Sequence, residues 1–125
     1  MDKLDKIYEF QRQLQKSFGH DLCNLTGIEK VRAIKETILA LTDELHEILN
    51  LFPWKDWKSY NGEHSSSLSD ITEEVADALH FFINLCLILK ISPRDLYSEY
   101  LRKNNKNIER IKNGTNNGVI DGFGC

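Results

Sequence analysis

Three observations predict an all-α fold. The 125-residue chain holds only seven Gly and two Pro, leaving long stretches uninterrupted. Apolar residues recur at spacings of three and four, the helical period, rather than two. The stretches are punctuated by helix signals such as Thr26-Gly27-Ile28-Glu29, Ser92-Pro93 and Asn113-Gly114. The expected architecture is a bundle of four to five helices, with residues 1–112 as one domain and residues 113–125 as an irregular tail.

The first helix is expected over Lys3 to Phe18, where Leu4, Ile7, Tyr8, Leu14 and Phe18 keep near-helical spacing and Gly19 marks the end. The second opens at Thr26, whose hydroxyl and the Glu29 carboxylate can satisfy each other's free backbone N–H in a capping box. Its stripe of Ile34, Ile38, Leu41, Leu45, Ile48 and Leu49 runs to about Leu51, and Pro53 stops it. Residues 53–68 lose the period, and Asn61-Gly62 with three consecutive serines reads as a loop. A third helix is expected from a cap at Ser69 or Asp70 to about Lys90. The fourth starts at Ser92-Pro93 and runs to about Lys112.

Composition narrows the function classes. A hydrophobic share of 41% with 28% charged residues suits one globular domain. A net charge of −3 makes no electrostatic case for nucleic acid as a partner, although Arg94 to Lys112 carries six Lys/Arg against three Asp/Glu. Cys23, Cys86 and Cys125 are odd in number and form no Cys-x-x-Cys pair, which argues against a disulfide framework and a structural zinc site. The opening MDKLDKIYEF lacks a signal peptide's apolar core, so the glycosylation patterns at Asn24 and Asn113 are read as chance. No stretch is long and apolar enough to expect a membrane partner. A reduced, cytoplasmic protein is the expectation.

The chemistry lies in polar residues set into apolar helices. Ala76 to Leu89 reads ADALHFFINLCLIL, apolar on nearly every face, so this helix is expected to be buried around most of its circumference. The exceptions align: Glu74, Asp77, His80/Phe81 and Asn84 follow one another at three and four residues. Burying unpaired carboxylates costs several kcal/mol each, on the order of known desolvation penalties, so a counter-charge is expected. The bland reading is a solvated acidic stripe at a helix start, where acids are favoured anyway. Glu44 and Glu47 repeat the three-residue offset on the second helix. Two helices that each present such a pair can build an oxygen cage for a hard divalent cation, for which Mg²⁺ is well suited. Asp43 points roughly 100° away from that face. A di-iron bundle would need Glu-x-x-His on two helices; here one Asp77-x-x-His80 occurs, and His46 is turned away from Glu44 and Glu47.

These residues resemble a known family. Glu44-x-x-Glu47, the run Phe52-Pro53-Trp54-Lys55-x-Trp57-Lys58, and Glu74-x-x-Asp77-x-x-His80-Phe81 are similar to the motifs of the dimeric all-α dUTPases, within the superfamily of all-α NTP pyrophosphatases that includes the MazG proteins. Tyr100-x-x-Lys103-Asn104-x-x-Asn107-x-x-Arg110 resembles that family's last motif, and Gln11 with Leu14-Gln15 its first. An acidic pair is common on any helix; the ordered combination is what carries the resemblance. Two departures stand out. Gln15 occupies a position where the family usually has Asn, and the family's longer C-terminal extension is replaced by a short Gly-containing tail.

The resemblance implies hydrolysis of a nucleoside triphosphate to the monophosphate and pyrophosphate by two or three Mg²⁺ ions, with Mn²⁺ as a substitute. Glu44, Glu47, Glu74 and Asp77 are the implied ligands, with Glu44 and Glu47 catalytic; Glu44 could ligate a metal, orient the water or accept its proton. Lys58, Lys103 and Arg110 are candidates for the phosphates, with solvated surface charge as the alternative for each. Gln11, Gln15, Trp57, His80, Phe81 and Asn107 are candidates for the base, and Asn84 for the sugar. Trp54 and Trp57 could equally anchor the loop, and Phe81 could belong to the core. The implied substrate is dUTP, with dCTP open because phage relatives accept it, and the implied assembly is a homodimer or higher homo-oligomer. The competing expectations are a MazG-like enzyme for purine or modified nucleotides and a non-enzymatic helical interaction module.

Overall fold

The computed structural model describes residues 1–62 and 66–114. Among them are four helices, α1 (Lys3–Ser17), α2 (Gly27–Leu49), α3 (Leu68–Leu89) and α4 (Pro93–Lys112), with a 3₁₀ turn at Leu22–Asn24 and no strand. The chain divides into two compact units, Met1–Ile91 and the part from Ser92 onward.

In the first unit α2 and α3 form the principal pair, and α1 and the 3₁₀ turn pack on α3. Acids late in α2 meet acids early in α3, so the two helices run antiparallel. The core lies in the second half of α3, where Ile83 and Ile88 are each 1% exposed and Cys86 and Leu87 are buried beside them. Full burial of an Ile side chain contributes about 1.5–3 kcal/mol, so this half-helix anchors the unit. Tyr8 is the buried aromatic that α1 supplies. One polar pair is sealed with them: Gln11 Nε2 donates to Asn84 Oδ1 at 2.7 Å.

The helix ends mostly follow the sequence signals. Asp2 caps α1, accepting from the Asp5 N–H at 2.9 Å, while the Asp5 carboxylate accepts from the Asp2 N–H at 3.2 Å. Gly19 ends that helix with φ +86°, a conformation that L side chains rarely adopt. Two expected caps differ. Thr26 stands at the N-cap of α2 but its side chain makes no capping bond. Gly27, the first residue of the helix, has φ +58°, so the chain enters turned away from the geometry that a capping box requires. The cap of α3 is Ser67 rather than Ser69 or Asp70; its hydroxyl accepts from the Asp70 N–H at 3.1 Å, which places Asp70 inside the first turn.

A further correction concerns α3. The expected burial around most of the circumference holds for Ile83–Ile88 but not for the rest of the helix, where Val75 (49%), Leu79 (42%), Phe82 (38%) and Leu89 (39%) leave an apolar stripe open. Among the described residues no single helix is long and apolar enough to cross a membrane.

The second unit is α4. Ser92 accepts from the Asp95 N–H at 3.1 Å, and Pro93 occupies the first turn, as the sequence predicts. Arg102 pairs with Glu99 one turn away, and the helix closes at Asn113 with Gly114 at φ +67°. The remainder of the expected tail, residues 115–125 with Thr115 and Cys125, lies outside the described residues.

Candidate functional site

The helix period explains why acids meet on the α2–α3 pair. Glu44 and Glu47 lie one turn apart near the end of α2, and Glu74 and Asp77 one turn apart near the start of α3. Antiparallel pairing brings the two pairs to the same level. One carboxylate oxygen each from Glu44, Glu74 and Asp77 falls within 4.8 Å of the others. Glu47 joins through charge, since it acts on both Glu44 and Glu74.

The cluster is electrostatically unfavourable as it stands. Glu44 Oε2 and Glu74 Oε2 are shut off from solvent and neither has a hydrogen-bond partner. Burial is the largest influence on Glu44 and raises its carboxyl above the usual carboxylate range; the charges of Glu47, Asp77 and Glu74 add to it. Glu74 is raised for the same reasons, burial first, then Glu47 and Asp77. No ion pair among the described residues offsets these acids. Sealed, unpartnered carboxylate oxygens converging from two helices form a donor set of the kind that hard divalent cations prefer, so these residues fit Mg²⁺.

Next to the acids lies a cavity of about 510 Å³, within the range of small-molecule sites. Its walls come from the end of α1 (Gln15), the turn before α2 (His20, Leu22, Leu25), α2 (Glu29, Arg32, Glu36, Thr37, Ala40) and α3 (Phe81, Asn84). Ala40 is one turn from Glu44 and Phe81 one turn from Asp77, roughly 6 Å along each axis. The cavity therefore begins where the carboxylate cluster ends.

The other sequence-derived candidates divide. Gln15, Phe81 and Asn84 line this cavity. Gln11 and His80 line a separate groove of about 390 Å³ between α1 and α3, so the polar stripe of α3 splits between residues 80 and 81. Gln11 reaches the cavity only through its bond to Asn84. His80 Nδ1 lies 2.9 Å from the Ala76 carbonyl oxygen, which commits that nitrogen to its own helix. Trp57 and Lys58 sit on the α2–α3 connection. Trp54, anchored by its Nε1 donating to Asn50 Oδ1 at 3.0 Å, packs edge-on against His46 and Trp57. Trp57 itself is 78% exposed, and the Lys58 ammonium lies 5.3 Å from the Tyr60 ring centre. Lys103, Asn107 and Arg110 share one face of α4 by their four- and three-residue spacing. Sequence reasoning missed His20, Arg32 and Thr37; for His20 the available signal was its place directly after the glycine that ends α1.

The carboxylates thus converge beside a cavity in an all-α frame. A family model described as dUTPase matches residues 3–93, well over half of the chain, and the protein belongs to that family. Neither the curated proteins nor the solved structures contain a match. Family membership supports an enzyme that hydrolyses dUTP or a related nucleotide.

Proposed function

We propose that the protein is a Mg²⁺-dependent deoxynucleoside triphosphate pyrophosphohydrolase that converts dUTP to dUMP and pyrophosphate, with dCTP as a second substrate. One observation carries this reading: two sealed, unpartnered carboxylate oxygens, Glu44 Oε2 and Glu74 Oε2, stand one and two helical turns from residues that line a nucleotide-sized cavity.

Glu44, Glu47, Glu74 and Asp77 are the residues that would hold two or three Mg²⁺ ions, or Mn²⁺ in their place. When bound, such ions neutralise charge on the phosphate oxygens and lower the pKa of a water molecule that becomes the nucleophile. Hydrolysis cleaves the α–β phosphoanhydride: one P–O bond forms from the water oxygen as one bridging P–O bond breaks, giving dUMP and pyrophosphate. Glu44 is the candidate to ligate a metal, orient the water or receive the proton that the water gives up. Phe81 offers the base a ring face, while Gln15 and Asn84 offer hydrogen bonds. Lys103 and Arg110 are assigned to the phosphates on their motif alone, Arg110 by a forked contact and Lys103 as a point charge. Asn107 (on the same motif), Trp57, Lys58 and His80 remain assigned to the substrate on the resemblance. The proposed domain spans residues 1–112.

The working unit is proposed to be a homodimer. The apolar stripe Val75, Leu79, Phe82 and Leu89 favours a second copy, because an open face of this kind is covered in stable helical bundles. Size-exclusion chromatography that returns an active monomer would remove the dimer.

The activity is tested by incubating the purified chain with each deoxynucleoside triphosphate, with and without Mg²⁺, and measuring monophosphate and pyrophosphate. Release from dUTP that requires the metal is expected. No product from any nucleotide would leave a helical interaction module, and a purine-only profile would shift the assignment to a MazG-like enzyme.

A further inference from the structure

Two carboxamides line the cavity, Gln15 from α1 and Asn84 from α3. A carboxamide offers an acceptor at one end and donors at the other, so its orientation decides what it recognises. Asn84 is oriented from behind. Gln11 Nε2 donates to its Oδ1 at 2.7 Å in a buried contact, which leaves Nδ2 for the cavity.

Gln15 is oriented by a residue to which the sequence motifs give no role. His20 Nδ1 lies 3.3 Å from Gln15 Oε1. Because the partner is a carbonyl oxygen, the ring nitrogen that faces it carries the hydrogen and donates. The end of α1 holds the ring there. With Gly19 at φ +86°, the Gly19 N–H bonds the Lys16 carbonyl and the His20 N–H bonds the Gln15 carbonyl, both at 2.9 Å. This is the paired closure of a Schellman motif. His20 and Gln15 are thus joined twice, through the backbone and through their side chains. Among the described residues neither Gln15 Nε2 nor Asn84 Nδ2 has a hydrogen-bond partner.

We infer that His20 is a positioning residue, which turns the Gln15 carboxamide so that both amides lining the cavity present N–H donors to the ligand. Two donors favour a base edge with two acceptors, such as the carbonyls of uracil or the carbonyl and ring nitrogen of cytosine. The pairing edge of adenine, with one ring acceptor beside an amino donor, satisfies only one of them. The inference rests on the proposed reading of the cavity as a nucleotide pocket.

Titration calorimetry in Mg²⁺ on the full chain tests it, with α,β-imido-dUTP, α,β-imido-dATP and imidodiphosphate as probes. His20→Phe keeps a ring and removes the donor; His20→Asn returns a donor nitrogen near the place of Nδ1. The expected result is a loss of about tenfold in affinity for the dUTP analogue in His20→Phe, the worth of one hydrogen bond. Affinity for the other two probes stays within about twofold, and His20→Asn recovers most of the loss. An unchanged dUTP-analogue affinity in His20→Phe, equal weakening for all three probes, failure of His20→Asn to recover, or no binding of the dUTP analogue by the wild type would each overturn the inference. A wild type whose binding depends on His20 but which releases no pyrophosphate from dUTP would sink the proposed activity and leave this assignment standing. An active enzyme indifferent to His20 would do the reverse.

Discussion

Glu44 Oε2 on α2 and Glu74 Oε2 on α3 are both cut off from solvent, and neither is hydrogen-bonded. Each carboxyl is raised by burial and by neighbouring acids rather than relieved by a cation from the chain. Two such carboxyls held side by side make the site open to direct tests.

The first test is kinetic. Glu44→Gln, Glu74→Gln and Asp77→Asn preserve shape but remove charge from the three acids that converge within 4.8 Å. Each is expected to lower kcat for dUTP by about a hundredfold or more at saturating Mg²⁺, the scale of losing an essential electrostatic group. Near-wild-type turnover in any two of them would remove the acids from the reaction.

The second concerns pH and needs no substrate. With carboxyls raised in the folded chain, the native state binds more protons than the unfolded state between the ordinary carboxylate pKa and the raised one, so stability falls as pH rises through that window. The metal-free protein is therefore expected to melt at a higher temperature near pH 5 than near pH 7. Glu74→Gln should flatten this dependence and raise the metal-free Tm at pH 7 by on the order of a few degrees. Mg²⁺ should raise the wild-type Tm and leave the variant nearly unmoved. Scanning calorimetry in chelator and in Mg²⁺ reads all three, and a wild type that gains stability from pH 5 to 7 in chelator contradicts the assignment.

The buried amide pair offers a third. Asn84 is 7% exposed and Gln11 4%, so Asn84→Ala strands the Gln11 N–H group away from water. The expected cost is about 1–3 kcal/mol, measured by urea unfolding. Gln11→Ala in the Asn84→Ala background should then cost less than Gln11→Ala alone, because the two share one bond.

At the end of α1, Gly19→Ala meets no steric neighbour, since nothing lies within 4 Å of the added Cβ. The penalty is purely conformational, from φ +86°, and is expected to be about 1–2 kcal/mol. The same variant loosens the turn that places His20, so weaker binding of the dUTP analogue should accompany the loss of stability.

The sequence by itself determined the helices, most of their ends and which acids share a helix face. Helical spacing fixes which residues share a face, as with Glu44 and Glu47 or Glu74 and Asp77. Short polar caps and Pro93 act on their immediate neighbours, so Ser92 could be assigned without knowing the rest of the fold. Even these local rules failed where a backbone angle intervened, as at Gly27. What only the tertiary structure decided is which neighbour each part of a face meets. Phe81 and Asn84 turn to the cavity beside α2 while His80, one position away, turns to the groove beside α1. Gln11 spends its amide on Asn84, and His20 closes on Gln15. Periodicity gives a direction around one helix axis to within about 100°; how far the next helix is rotated and offset is set by packing, and the division of the polar stripe follows from that.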